Sequence, residues 1–264
     1  MSGAAPHPVS VVREDGGLAV VTFDSPPLNL FEERLATGLR EAVDELESEP
    51  PRGVLFRAEG RAVSAGVDVN VFAALSGPEE AGAMFDELVG VARRVDRLPC
   101  PTVFAAHALC LTWAFELALA CDLILAAEAA KFGLVEARVG LTPAMGGTQR
   151  LAERAGTGRA REFVMTGGLY DAATLERWNV VNRVLPDEGF DSAARELAAS
   201  LAAGPTRAHA ATKEVLRAYL DGGLERANGE LGRIAGALWE TEDLQGGIRS
   251  FLSEGPGNAR FTGD

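Results

Sequence analysis

The chain has 264 residues, 47% of them hydrophobic and 24% charged, a soluble globular composition that excludes bulk disorder and is ample for one large buried core. A formal net charge of −13 excludes charge-driven binding to nucleic acid or to an anionic membrane, since both reward basic surface. Cys100, Cys110 and Cys121 are odd in number, widely spaced and set in apolar runs, so buried free thiols in a reducing compartment are expected. No CxxC or His-rich cluster points to a metal. Residues 1–8 lack the apolar core of a leader and no apolar run is long enough to span a bilayer, so the expected location is cytoplasmic.

In chain order, β-type runs at 9–13 and 18–23 flank Asp15-Gly16-Gly17, a hairpin signal. Phe31, Leu35, Leu39, Val43 and Leu46 recur at helical spacing, which predicts a helix over 31–49 that Pro50 and Pro51 terminate. A strand over 53–57 leads into a Gly- and Ala-rich loop over 59–68, and a helix over 79–98 ends at Pro99. An apolar strand over 102–106, a short helix over 113–120 and a strand over 122–126 follow. Strand and helix alternate to about residue 185, so the fold class is α/β. Residues 187–203, 205–220 and 223–241 read as helices broken at Gly204-Pro205 and Gly222-Gly223, and in the last of them Leu224, Leu231, Ile234 and Leu238 form an apolar stripe. The tail from Gly255 reads as irregular. These shifts predict a core over 1–186 and a helical region over 187–264.

Glu116 and Glu136 lie in apolar frames, where desolvation raises a carboxyl pKa toward working pH and fits it for acid or base chemistry. Taken singly, each is also compatible with a solvated or structural glutamate. In the loop 61–68 small residues allow close backbone approach, and free N–H groups near a helix start attract negative charge. The plainer reading is a tight turn with Asp68 as a helix cap. Gly146-Gly147-Thr148 before Arg150 reads as a second glycine-rich helix start. His107 suits a satisfied loop or core histidine, and Ser64 lacks the setting of a nucleophile elbow.

Order and spacing carry more than any single motif. An Ala65-Gly66-x-Asp68 loop precedes Glu116-Leu117-Ala118-Leu119-Ala120-Cys121-Asp122, then Phe132-Gly133-x-x-Glu136, then Pro143-x-x-Gly146-Gly147-Thr148-Gln149-Arg150-Leu151. This series resembles the enoyl-CoA hydratase/isomerase (crotonase) family, from about residue 10 to the end. The resemblance implies a spiral of ββα units with a helical C-terminal region that assembles homotrimers or dimers of trimers. It implies an acyl-CoA thioester as ligand, with coenzyme A as part of the substrate and no separate cofactor. Backbone N–H groups of Ala65 and Trp113 would form the oxyanion hole, each such donor supplying about 3–4 kcal/mol. Glu116 and Glu136 would be the catalytic pair. Leu28 in the turn Pro27-Leu28-Asn29, together with Ala62, Ser64, Gly66, Val67 and Asp68, would contact substrate.

Three local differences from the family are visible. Its glycine run is Thr112-Trp113-Ala114 here, His107 and Ala108 replace an Asn and a Gly, and the tail Glu254 to Phe261 lacks the usual lysines. The indole must pack either in the acyl pocket or against a core helix. The pair of glutamates favours hydration of a 2-enoyl-CoA. An isomerase or other enolate-forming enzyme and a catalytically silent acyl-CoA binder are the alternatives.

Overall fold

The computed structural model describes residues 7–264. Residues 1–6, most of the stretch read above as lacking a leader core, lie outside the described residues. Strands β1 (Val9–Arg13) and β2 (Leu18–Phe23) form the expected antiparallel hairpin, and α1 (Glu33–Ser48) and β3 (Gly53–Ala58) follow. A single-turn α2 (Asn70–Ala73) precedes α3 (Pro78–Asp96), β4 (Thr102–Ala106), β5 (Leu109–Leu111), α4 (Trp113–Ala120), β6 (Leu123–Ala127) and β7 (Lys131–Gly133). After a 3-10 turn at Glu136–Val139 come α5 (Gly147–Thr166), β8 (Tyr170–Asp171), α6 (Ala172–Arg177) and β9 (Arg183–Leu185). The C-terminal helices are α7 (Phe190–Ala202), α8 (Thr206–Gly236) and α9 (Glu242–Glu254), the last two joined through a 3-10 turn at Ala237–Glu240.

The large sheet has the order β1-β2-β3-β4-β6-β9, parallel from β2 onward, and β5-β7-β8 form a second, smaller sheet. Each return to the large sheet passes through helix, so the chain advances by one repeated unit per parallel strand. Both faces of that sheet are covered, which explains why burial along β3 and β4 is nearly continuous instead of alternating. Val54 and Phe56 face one core with Leu35 and Leu39 of α1, whereas Leu55 and Val103 face a second core closed by Phe190, Ala194 and Ala198 of α7. That α7 packing belongs to the sheet itself.

Two local departures from the sequence reading matter. Helix α1 starts at Glu33, and Phe31 pairs instead with Val67 in an isolated parallel bridge. Asn29 causes this: it sits at φ 50°, accepts the Ser25 N–H, and donates from Nδ2 to Glu59 O and Ala62 O, which locks the turn before the helix. Helix α8 bends at Gly222 and Gly223, as the glycine pair suggests, but Leu224 and Leu231 of the apolar stripe are 63% and 45% exposed while Ile234 is buried. All three cysteines are free and buried. Among the described residues no helix is long and apolar enough to cross a membrane, and no cluster of His, Cys, Asp and Glu is suited to a metal ion.

Candidate active site

Helix α4 is buried on every side, an arrangement that its run of apolar residues permits and that its one charged residue, Glu116, must answer for. The answer comes from the start of α5. Glu116 Oε2 accepts the backbone N–H groups of Met145 at 2.8 Å and Gly147 at 2.7 Å. Gly147 is required for this approach, because a Cβ there would stand 2.7 Å from Glu116 Cγ. The Gly146-Gly147 signal therefore marks where one helix start meets the carboxylate of another helix.

Glu136 lies in the 3-10 turn after β7, is 8% exposed, and its Oε2 is buried without a hydrogen-bond partner. Burial raises both carboxyls to a pKa of about 7. For Glu116 the backbone donors and then Arg150 oppose the rise, whereas for Glu136 the neighbouring Glu116 charge adds to it. The two groups are therefore unlike. Glu116 has backbone donors that favour its charged form, and Glu136 has a neighbouring carboxylate that favours its protonated form.

Both glutamates line one cavity of about 240 Å³, together with Phe72 of α2, Met84 and Leu88 of α3, Val139 of the 3-10 turn and Leu141 beyond it. Its walls are apolar apart from the carboxyls, Thr112 and Arg138, a composition suited to an alkyl chain. Of the backbone N–H groups on this wall that have no acceptor among the described residues, two lie in the segments expected to form the oxyanion hole. One belongs to Trp113, the first residue of α4, where helix geometry leaves the N–H free. The other belongs to Val67, because the bridge to Phe31 uses Gly66 O and the Asp68 N–H on either side of it.

The same ladder displaces the oxyanion reading at Ala65. Its N–H donates to Leu28 O at 2.9 Å and is not free for a ligand; the loop alternates, and the free donor falls two residues later, at Val67. Four residues expected to contact substrate have structural roles here. Ser64 is fully buried, Ala62 is 3% exposed, Asp68 accepts from the Asn70 N–H and Nδ2 as a local cap, and Leu28 supplies the carbonyl that engages Ala65. None of these four lines the cavity, whereas Ala65, Gly66, Val67, Trp113, Glu116 and Glu136 do. His107 is the satisfied loop histidine, its Nε2 lying 2.9 Å from Gly60 O.

The indole of Trp113 enters the core and leaves the space between the glutamates open. It stands edge-on to Phe23 at 5.1 Å between ring centroids and tilts against Phe31 at 5.6 Å, while Nε1 donates to Ser64 Oγ at 2.7 Å. To accommodate this, Thr112 adopts φ 49°, a region that a β-branched residue rarely occupies. The donors at Met145 and Gly147 and the packing of Phe72, Met84 and Leu88 had no separate sequence signal beyond the glycine motif and helical periodicity.

Known proteins are similar to this one in sequence and fold over nearly the whole chain. The sequence profile of the enoyl-CoA hydratase/isomerase family matches residues 13–260. A protein of Bacillus subtilis strain 168, named a probable enoyl-CoA hydratase, is 31% identical over 242 residues, which cover 91% of this chain and 94% of that one. The crystal structure of an enoyl-CoA hydratase from Bacillus anthracis superposes with a TM-score of 0.89 at 25% identity, over 97% of this chain and 100% of the other. An enoyl-CoA hydratase structure from Mycobacterium smegmatis gives a TM-score of 0.87 at 25% identity, over 94% and 96%. With its crotonase-type α/β architecture and a profile match spanning nearly its full length, this chain belongs to the enoyl-CoA hydratase/isomerase family.

Proposed function

We propose that the protein hydrates the 2,3 double bond of a 2-enoyl-CoA. The observation that carries this reading is the asymmetry of the two carboxyls on one apolar cavity: Glu116 holds two backbone donors, and Glu136 has a buried oxygen with none. Glu116, as carboxylate, takes a proton from water as the water oxygen bonds to Cβ. Electron density moves onto the thioester oxygen, where the N–H groups of Val67 and Trp113 receive it, each worth about 3–4 kcal/mol in a dry site. Glu136, as neutral acid, gives its proton to Cα. The pair ends with its protons exchanged and resets before the next turnover.

The test follows the absorbance of the conjugated thioester, which hydration removes. Glu116→Gln and Glu136→Gln should each lower kcat by about 10²- to 10⁴-fold, the range for loss of a positioned acid or base. Activity that survives both substitutions overturns the mechanism. The pH profile is expected to be a narrow bell centred near 7, since kcat/KM falls on the acid side as Glu116 gains a proton and on the alkaline side as Glu136 loses one.

Double-bond isomerisation is the second reading, favoured by the unpartnered oxygen of Glu136, which is open to shuttle a proton along an acyl chain. Mass and chromatographic analysis of products from a 3-enoyl-CoA separates the two: a 2-enoyl product with no hydroxyacyl product supports isomerisation. The exposed apolar residues of the C-terminal helices, Leu224, Phe251 and Leu252 among them, support assembly into homotrimers or dimers of trimers.

A further inference from the structure

Resting on that reading, the oxyanion site must hold two N–H groups, from segments far apart in sequence, aimed at one oxygen. Val67 lies in the loop after β3 and Trp113 at the start of α4. Main-chain bonds join the two segments only indirectly, through Ser64 and the β5 strand: Ser64 N–H donates to Leu109 O and Leu111 N–H to Ser64 O, both at 3.1 Å.

The side chain of Trp113 makes a second, more direct link. Its Nε1 donates to Ser64 Oγ at 2.7 Å, and that hydroxyl donates to Asn29 O at 2.7 Å while accepting the Gly66 N–H at 3.0 Å. Gly66 immediately precedes Val67. The indole also packs on Phe31, whose N–H and carbonyl bond Gly66 O and the Asp68 N–H on either side of Val67. One residue thus supplies one N–H of the hole from its main chain and grips the loop bearing the other with its side chain. The whole linkage is buried, so these bonds do not exchange with water.

We propose that the Trp113 indole, acting through Ser64, is a positioning brace that sets the angle and separation of the two oxyanion donors. A glycine at this position could not do this, and the brace accounts for a bulky residue at a site where the backbone needs an unusual turn at Thr112. Ser64, expected to touch substrate, acts through the loop instead. A misaligned donor loses most of its value in the transition state, where negative charge concentrates on the oxygen, and much less in ground-state binding.

Trp113→Phe tests the brace, because it keeps an aromatic ring and leaves Ser64 Oγ with its Asn29 and Gly66 partners. The main readout is the infrared carbonyl band of a bound, ¹³C-labelled saturated acyl-CoA, which cannot be hydrated. Wild type should shift this band below its free-ligand position, and Trp113→Phe should return it by more than half. In parallel, kcat on a 2-enoyl-CoA should fall about tenfold with KM within about twofold of wild type, the pattern of an interaction realised in the transition state. Ser64→Ala, which breaks the same bond from the other side, should give the same band, and the double variant should be no worse than the more impaired single variant.

The band is read per bound ligand, so a loss of folded protein cannot imitate the result. A band unchanged from wild type in either single variant, or kcat losses that simply multiply in the double variant, overturns the brace alone. A wild-type protein that neither binds the acyl-CoA nor shifts its carbonyl overturns the brace together with the acyl-CoA reading.

Discussion

Glu136 and Thr112 are two residues that the fold accommodates at an energetic cost. With its pKa near 7 against an ordinary 4.5, Glu136 binds its proton more tightly in the folded than in the unfolded chain. Its contribution to stability is therefore complete below about pH 4.5 and is lost as pH rises through 7. Glu136→Gln should leave stability unchanged near pH 4.5 and raise it by about 1–2 kcal/mol at pH 8, where wild type must bury an unpaired charge. Urea denaturation at the two pH values measures this. Thr112 lies at φ 49° with a buried hydroxyl that has no partner. Thr112→Gly should relieve strain worth about 1–3 kcal/mol, offset by about 0.5–1 kcal/mol of backbone entropy, for a net gain of about 1 kcal/mol. A lower melting temperature in that variant would show that the threonine packing outweighs the strain. Among single residues, Glu116 and Glu136 stood out because carboxylates in apolar frames are rare, while their acid and base roles were implied only by the resemblance of the surrounding motifs. Val67 did not stand out, because every residue has an N–H and only the bridge to Phe31 decides which one is free.

The contact between α4 and α5 is the element on which the proposed chemistry depends most directly. Both helices were visible from apolar runs and glycine signals, but their meeting at Glu116 joins residues about thirty positions apart and has no local signature. Gly147→Ala would push a methyl into Glu116 Cγ at 2.7 Å, in a packed interior that relaxes little. The expected result is a loss of about 1–3 kcal/mol in stability, typical of overpacking, together with at least tenfold in kcat, because a 1 Å displacement of a catalytic group is costly. Thermal unfolding and steady-state kinetics on the same preparation check both. The N-terminal edge of α1 shows the reverse case. Phe31 has the spacing of a helix residue, yet the Asn29 side chain holds the turn against Glu59 and Ala62 carbonyls. That tertiary contact outweighs the helical pattern and leaves Phe31 free to pair with Val67.

At the scale of the whole molecule, the C-terminal third separates two kinds of helix. Helix α7 closes the second core of the large sheet, whereas α8 and α9 leave Leu220, Leu224, Phe251 and Leu252 exposed, Leu252 by 80%. Isolated exposed leucines are ordinary, but a series of them on adjoining helices marks a surface that another protein copy can cover. Wild type should therefore sediment at a multiple of the monomer mass, and Leu252→Asp with Leu224→Asp should shift it toward monomer by placing charge in an apolar contact. Analytical ultracentrifugation decides this, and a monomeric wild type at micromolar concentration would rule out the assembly.

The sequence by itself determined the α/β class, nearly every element of the large sheet, the family, and the glutamate pair, because each of these rests on local patterns: apolar periodicity, glycine and proline breaks, and motifs in a set order. Tertiary structure alone decided three things. It engaged the Ala65 N–H and freed that of Val67, it gave Glu116 Oε2 two backbone donors and left Glu136 Oε2 without a partner, and it turned the Trp113 indole away from the glutamates into the core. The physical reason is common to all three. Whether a polar group is free, charged or satisfied depends on which distant segment supplies its partner, and that pairing exists only once the chain has closed on itself.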